Sequence, residues 1–77
     1  MTIEDKVKQV LMEILDVEED KYALSAHLRK DLNASSVDMV EIMAAFENDY
    51  DIQISEEEAE ELLTVQAIVD YLKNRVG

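Results

Sequence analysis

The chain has 77 residues, no cysteine, no proline, a single glycine and a formal net charge of −12. That length suits one domain, residues 1–77, with a core near the lower limit that holds unaided, and the lack of cysteine excludes disulfides and thiolate metal sites. An acidic field of this size disfavours nucleic acid and anionic membranes and favours partners with basic surfaces.

The charge is unevenly spread. Residues 1–30 carry five basic and seven acidic side chains, residues 31–77 carry two and twelve, and no basic residue lies between Asp31 and Leu72. No segment is long and apolar enough to span a bilayer, and the charged, amphipathic start of the chain is unlike a signal peptide. The expectation is a cytoplasmic protein with no stable membrane association.

In chain order, Thr2-x-x-Asp5 matches a capping box and predicts a first helix, with Ile3, Val7, Val10, Leu11 and Ile14 on one face. Residues 16–34 predict a long loop with a local turn, pinned to the bundle by Leu24, Leu28 and Leu32. His27, alone in this polar stretch, reads as a surface residue. A second helix is predicted from about Ser36 to Tyr50. Met39, Ile42, Met43, Phe46 and Tyr50 form its core stripe, at about 100° per residue. Val37, Val40 and Ala44 form another apolar strip, beside Ser36 and bordered by Glu41, Glu47 and Asn48. An apolar centre with a charged rim is how interfaces are built, so this strip is a candidate docking surface.

Ser55-x-x-Glu58 marks a short third helix, with Leu62 and Leu63 as its apolar end. A fourth starts near Thr64 and repeats Val65, Ile68, Val69, Leu72 and Val76, with Lys73 and Arg75 in its last turn, where cations suit the helix dipole. The fold expected is an all-α four-helix bundle of three longer helices and a short third, with a long loop between helices 1 and 2. Its interior is predicted to be lined by Ile3, Val7, Ile42, Met43, Phe46, Leu62, Val65, Ile68 and Leu72.

Only one place on this chain looks chemically usable. Ser36 sits where a polar turn gives way to the second helix, in Asp31-Leu32-Asn33-Ala34-Ser35-Ser36-Val37-Asp38. Three readings of the residues stand side by side. Ser36 could be an N-cap and nothing more in an acidic module that binds basic partners unmodified. It could be a hydrolase nucleophile, although no histidine is placed by sequence as its base and no glycine elbow surrounds it. Or it could be a point of attachment for a group that brings its own chemistry. The run Glu56-Glu57-Glu58 with Glu60 and Glu61 lacks the spacing and glycine of an EF-hand loop, so no metal site is assigned.

The stretch Asp31–Asp38 resembles the Asp-Leu-Gly-Ala-Asp-Ser-Leu-Asp signature of acyl carrier proteins. The likeness covers nearly the whole chain, with Glu41, Ala45, Glu47, Asp51, Thr64-Val65-Gln66-Ala67 and Asp70-Tyr71 also in family positions. The resemblance implies that the protein is not an enzyme. A phosphopantetheinyl transferase would attach 4′-phosphopantetheine from coenzyme A to Ser36, and the arm's thiol would hold acyl groups as thioesters. It implies acyl-loading and acyl-processing partners of fatty-acid, lipid or polyketide-type biosynthesis, with an aminoacyl or peptidyl carrier as the alternative, and a monomeric carrier. It also implies a partner surface of Val37, Asp38, Val40, Glu41, Ala44, Glu47, Glu56 and Glu60 that meets basic patches.

Four positions depart from the family pattern. Ser35 replaces an acid, Val37 a leucine, Asn33 a glycine and Ser55 a common proline. Ser35 reads as the helix cap, paired with Asp38, and Ser36-Val37-Asp38 as the attachment triplet. Together the departures suggest a dedicated carrier of a specialised pathway instead of the housekeeping one.

Overall fold

A computed structural model describes residues 2–76. The helices are α1 (Ile3–Leu15), α2 (Ser36–Tyr50), α3 (Glu56–Glu61) and α4 (Val65–Val76), with one turn of 3-10 helix at Glu19–Lys21 in the long first loop. Among the described residues there is no strand, only an isolated bridge between His27 and Thr64.

Side-chain caps start all four helices. Thr2, Ser35 and Ser55 each accept the N–H of the third residue of their helix, while the acid there accepts the cap residue's own N–H. A helix leaves its first N–H groups without internal partners, and these reciprocal boxes satisfy two groups at each start. Thr64 caps α4 by accepting the Ala67 N–H at 3.1 Å. α1 and α2 end on Asp16 and Asp51 in left-handed backbone (φ 52° and 54°), a region that Asp and Asn visit more readily than other non-glycine residues.

α1 packs against both α2 and α4. Val7, Ile42, Phe46, Val65 and Leu72 are completely buried, with Val10, Leu11, Met43, Leu62, Ile68 and Val69 close behind. Fully burying one such side chain is worth about 1.5–3 kcal/mol, so this cluster dominates stability. Ile3, predicted to line the core, is half-buried and packs on its edge as the first residue of α1. Ion pairs Lys6–Asp49 (3.1 Å) and Lys73–Glu4 (3.3 Å) tie α1 to α2 and α4 at the rim. Pairs this open to water contribute only about 0–1 kcal/mol each.

The long loop is held by two means, and the sequence showed one. Leu28 and Leu32 are buried as predicted, and so are Ala26 and Ala34. Leu24, expected as a third pin, is 44% exposed. It fastens the loop through its carbonyl, which accepts the Gln66 N–H at 2.9 Å. The Ala26 carbonyl takes the Val65 N–H (3.1 Å), and the Leu28 N–H donates to the Leu63 carbonyl (2.8 Å). The loop thus supplies acceptors to the otherwise unpaired first turn of α4.

α3 has six residues and ends at Glu61. Leu62 and Leu63, predicted to be its apolar end, follow it, with Leu62 buried as the C-cap and Leu63 part-exposed. The Tyr71 hydroxyl donates to Glu58 Oε2 at 2.9 Å and accepts from the Arg75 guanidinium, so α4 grips the start of α3. The Ser55 N–H, and after it the Tyr71 hydroxyl, hold the Glu58 carboxyl below the usual carboxylate range. Burial and the Glu58 carboxylate push the Tyr71 hydroxyl up.

Candidate functional site

The turn before α2 explains its sequence residue by residue. Asp31 Oδ2 accepts the His27 N–H at 2.7 Å, and the His27 carbonyl takes the N–H groups of Asp31 and Leu32. Leu32 and Ala34 are buried and anchor the turn. Between them Asn33 lies at φ 58°, the left-handed position where the family pattern has glycine. Asparagine holds it at small cost. Ser35 then caps α2, its Oγ 3.1 Å from the Asp38 N and its own N 3.0 Å from Asp38 Oδ2.

These contacts leave Ser36 as the first residue of α2, exposed and outside the cap. The Ser35 hydroxyl is occupied in the capping box; that of Ser36 is met by one group, the Arg29 guanidinium, whose Nη1 donates to Oγ at 3.2 Å. No histidine takes the place of a base there. His27 is half-buried, contrary to the expected surface residue, and its Nδ1 accepts the N–H groups of Arg29 and Lys30, both at 3.2 Å. Accepting these two N–H groups, the ring shapes the turn.

The predicted partner surface divides into two kinds of residue. Val37 and Val40 are 67% and 69% exposed on α2, and Ala44, Glu41, Glu56 and Glu60 are also open to solvent. Asp38 and Glu47 are half-buried and already engaged. Asp38 belongs to the capping box, and Glu47 Oε2 accepts the Ile54 N–H at 2.8 Å, which fastens the link between α2 and α3. These two acids therefore shape the surface as well as border it.

Two shallow grooves follow the α2–α3 cleft. One, about 300 Å³, is lined by Met39, Val40, Met43, Ala44, Ile54 and Ala59, among others. The second, about 260 Å³, lies between Arg29, Met39, Ala59, Glu60 and Leu63. Met39 and Ala59 border both, so the apolar floor runs from the Ser36 side of α2 toward Ile54. Sequence reasoning missed Arg29. Its partner lies seven residues on, across the left-handed turn at Asn33, and no local pattern marks the pair.

A phosphate ester fits this donor set. An exposed hydroxyl opens a helix, where N–H groups point outward and the dipole favours negative charge, and a guanidinium stands beside it. Among the described residues no helix is long and apolar enough to cross a membrane.

Residues 5–72 match the family model described as phosphopantetheine attachment site. Among solved structures, the chain is similar to a candidate acyl carrier protein from Anaplasma phagocytophilum, determined in solution. That likeness has a TM-score of 0.90 and 26% identity, and covers 97% of this chain and 89% of the other. The protein therefore belongs to the phosphopantetheine attachment family as a carrier of the acyl carrier protein type, not itself an enzyme, and the group it bears is covalent 4′-phosphopantetheine.

Proposed function

We propose that Ser36 is the attachment point and that the protein carries acyl intermediates between enzymes of fatty-acid, lipid or polyketide-type biosynthesis. The observation that carries this reading is the division of labour between adjacent hydroxyls. Ser35 Oγ is held by the Asp38 N–H, whereas Ser36 Oγ is exposed and, among the described residues, met by the Arg29 guanidinium. In the transfer, Ser36 Oγ bonds to phosphorus of the coenzyme A pyrophosphate, the bond to the nucleotide half breaks, and the hydroxyl proton passes to a base of the transferase. The arm, once bound, supplies a thiol, a better nucleophile and leaving group than any side chain of this cysteine-free chain.

Partners grip the exposed strip Val37, Val40 and Ala44 and the acids around it: Glu41, Glu56 and Glu60, with Asp38 and Glu47 at its edges. A surface of this kind suits brief, salt-sensitive contacts with basic patches, since exposed charges are screened within about 8 Å at physiological salt. The carrier works as a monomer in the cytoplasm. Ser35 in place of an acid and Val37 in place of leucine alter the face that partners read, which supports service to a specialised pathway.

The decisive experiment is intact-mass measurement after incubation with coenzyme A and a broad-specificity phosphopantetheinyl transferase. Wild type gains one phosphopantetheine and Ser36→Ala gains none. No gain in wild type with several transferases would favour the unmodified interaction module.

A further inference from the structure

We propose that Arg29 is a clamp for the phosphate of the arm, holding its first atoms at the Arg29 end of the α2–α3 cleft. The inference rests on attachment at Ser36 and adds to it a residue that the attachment motif does not contain.

Three observations converge on Arg29. Its Nη1 already donates to Ser36 Oγ at 3.2 Å. Esterification converts that oxygen into a bridging atom with phosphorus one bond away and, one bond further, two non-bridging oxygens that share the negative charge of the diester. A planar guanidinium with five donors, resting on the bridging atom, reaches those oxygens by a small side-chain rotation. Arginine forks match phosphate better than the point charge of lysine does.

The second observation is that Arg29 has no competing acid. Ion pairs among the described residues employ Lys6, Lys8, Lys73 and Arg75, and none includes Arg29. Glu60 lines the same groove and is the closest rival in kind, yet no ion pair joins the two. Lys21 and Lys30 also take part in no ion pair among the described residues, but of these three cations it is Arg29 that bonds to Ser36.

Third, the backbone that carries Arg29 is fixed. His27 Nδ1 accepts the Arg29 and Lys30 N–H groups, and the Asp31 carboxylate holds the His27 N–H. Buried Leu28 precedes Arg29 directly. The long side chain moves, but its origin does not, so ordering it on a phosphate costs less than it would from a free loop.

Such a clamp restrains the root of the arm and turns it toward the groove lined by Arg29, Met39, Ala59, Glu60 and Leu63. It leaves the pantetheine beyond free to swing. It also neutralises the charge that the phosphodiester adds to an already acidic surface.

The test uses the full-length protein in its apo and phosphopantetheinylated forms, with Arg29→Gln and Arg29→Lys beside wild type. Intact mass first establishes that Ser36 is loaded in each. Phosphorus NMR of the loaded forms then reads the clamp directly. In wild type the phosphorus resonance is displaced from its position in the Arg29→Gln protein, and added salt moves it toward that position. Arg29→Lys lies between the two. The Arg29 side-chain N–H signal of wild type shifts on loading. Arg29 is exposed, so apo spectra of the variants elsewhere match wild type and exclude misfolding.

If all three proteins load at Ser36 and their phosphorus signals coincide at every salt concentration, the clamp is wrong and the attachment reading stands. If wild type does not load, or Ser36→Ala still does, the attachment reading falls first and the clamp with it.

Discussion

The starts of α2 and α3 use the same device for different ends. Each has a serine cap and an acid three residues on, with nearly the same backbone at the cap (φ −82°, ψ 172° for Ser35; φ −69°, ψ 161° for Ser55). In α3 the first helical residue is Glu56, a charge suited to the positive end of the dipole. In α2 it is Ser36, beside Arg29. The capping box is thus structural in both places, and the residue just after the cap sets what each helix start offers, a carboxylate in α3 and an exposed hydroxyl in α2. This is why the adjacent serines are not interchangeable: one closes the helix and the other faces outward.

The largest effect expected from breaking this comparison is all-or-none. Ser36→Ala abolishes loading, while Ser35→Ala still accepts the arm, as intact mass reads directly. Loading of Ser36→Ala at Ser35 would show that the cap opens to the transferase and would end the distinction drawn here.

A graded effect follows on the partner side. Val40→Ser and Glu41→Lys, both on the exposed strip of α2, each lower kcat/KM for loading by about tenfold, as loss of one well-placed interface contact does. Their melting temperatures stay close to wild type, because neither side chain is buried or bonded in the fold. Glu60→Lys on α3 has a smaller effect if the docking centre lies on α2. Equal losses at the two helices would move that centre to the cleft between them.

The caps themselves come next. Ser35→Ala and Ser55→Ala each cost about 1 kcal/mol, a fall of about 4–8 °C in Tm for a domain of this size. Calorimetry on apo protein checks both. A Ser35 variant with unchanged Tm would mean that the Asp38 box, seen at 3.0 and 3.1 Å, contributes nothing in solution.

How much of this was legible in the sequence follows the range of the interactions involved. The caps at Thr2, Ser35 and Ser55 span three residues, and the apolar faces repeat with the helical turn, so both can be read along the chain. The place of Ser36, one residue beyond a cap, was legible for the same reason, whereas the role proposed for it came from the family resemblance. Backbone pairing across distance was not. Nothing in the pattern of Leu24, Leu28 and Leu32 says that Leu24 would offer its carbonyl to Gln66 and keep its side chain in water. His27 was misjudged as a surface residue because a ring nitrogen that accepts backbone N–H groups two and three residues on has no sequence signature. Glu47 read as a docking acid from its place on α2, whereas its bond to the Ile54 N–H depends on how the next link folds back. Arg29 escaped notice because its partner is seven residues away across a left-handed turn.

The smallest predicted effect separates the two helix starts through the acid of the α3 box. Glu58 is held by the Ser55 N–H and the Tyr71 hydroxyl, with Arg75 alongside, and its folded carboxyl lies below its ordinary value of 4.5. A folded state that binds the proton less tightly than the unfolded chain gains stability from the ionised group. That gain is fully present above the unfolded value of 4.5 and is lost as pH falls through the lower folded value. Glu58→Gln keeps the box, since glutamine serves at that position, but removes the charge that Tyr71 and Arg75 prefer. Removing one of many acids also relieves self-repulsion, so the comparison needs Glu57→Gln, which deletes the same charge one residue earlier. At neutral pH the melting temperature of Glu58→Gln falls below that of Glu57→Gln. The two converge as the solution is acidified past the folded value of Glu58, where wild type has lost the Glu58 charge as well. A Glu58→Gln protein that melts with Glu57→Gln at neutral pH would mean that the Glu58 charge adds nothing to the grip of Tyr71 and Arg75 on α3.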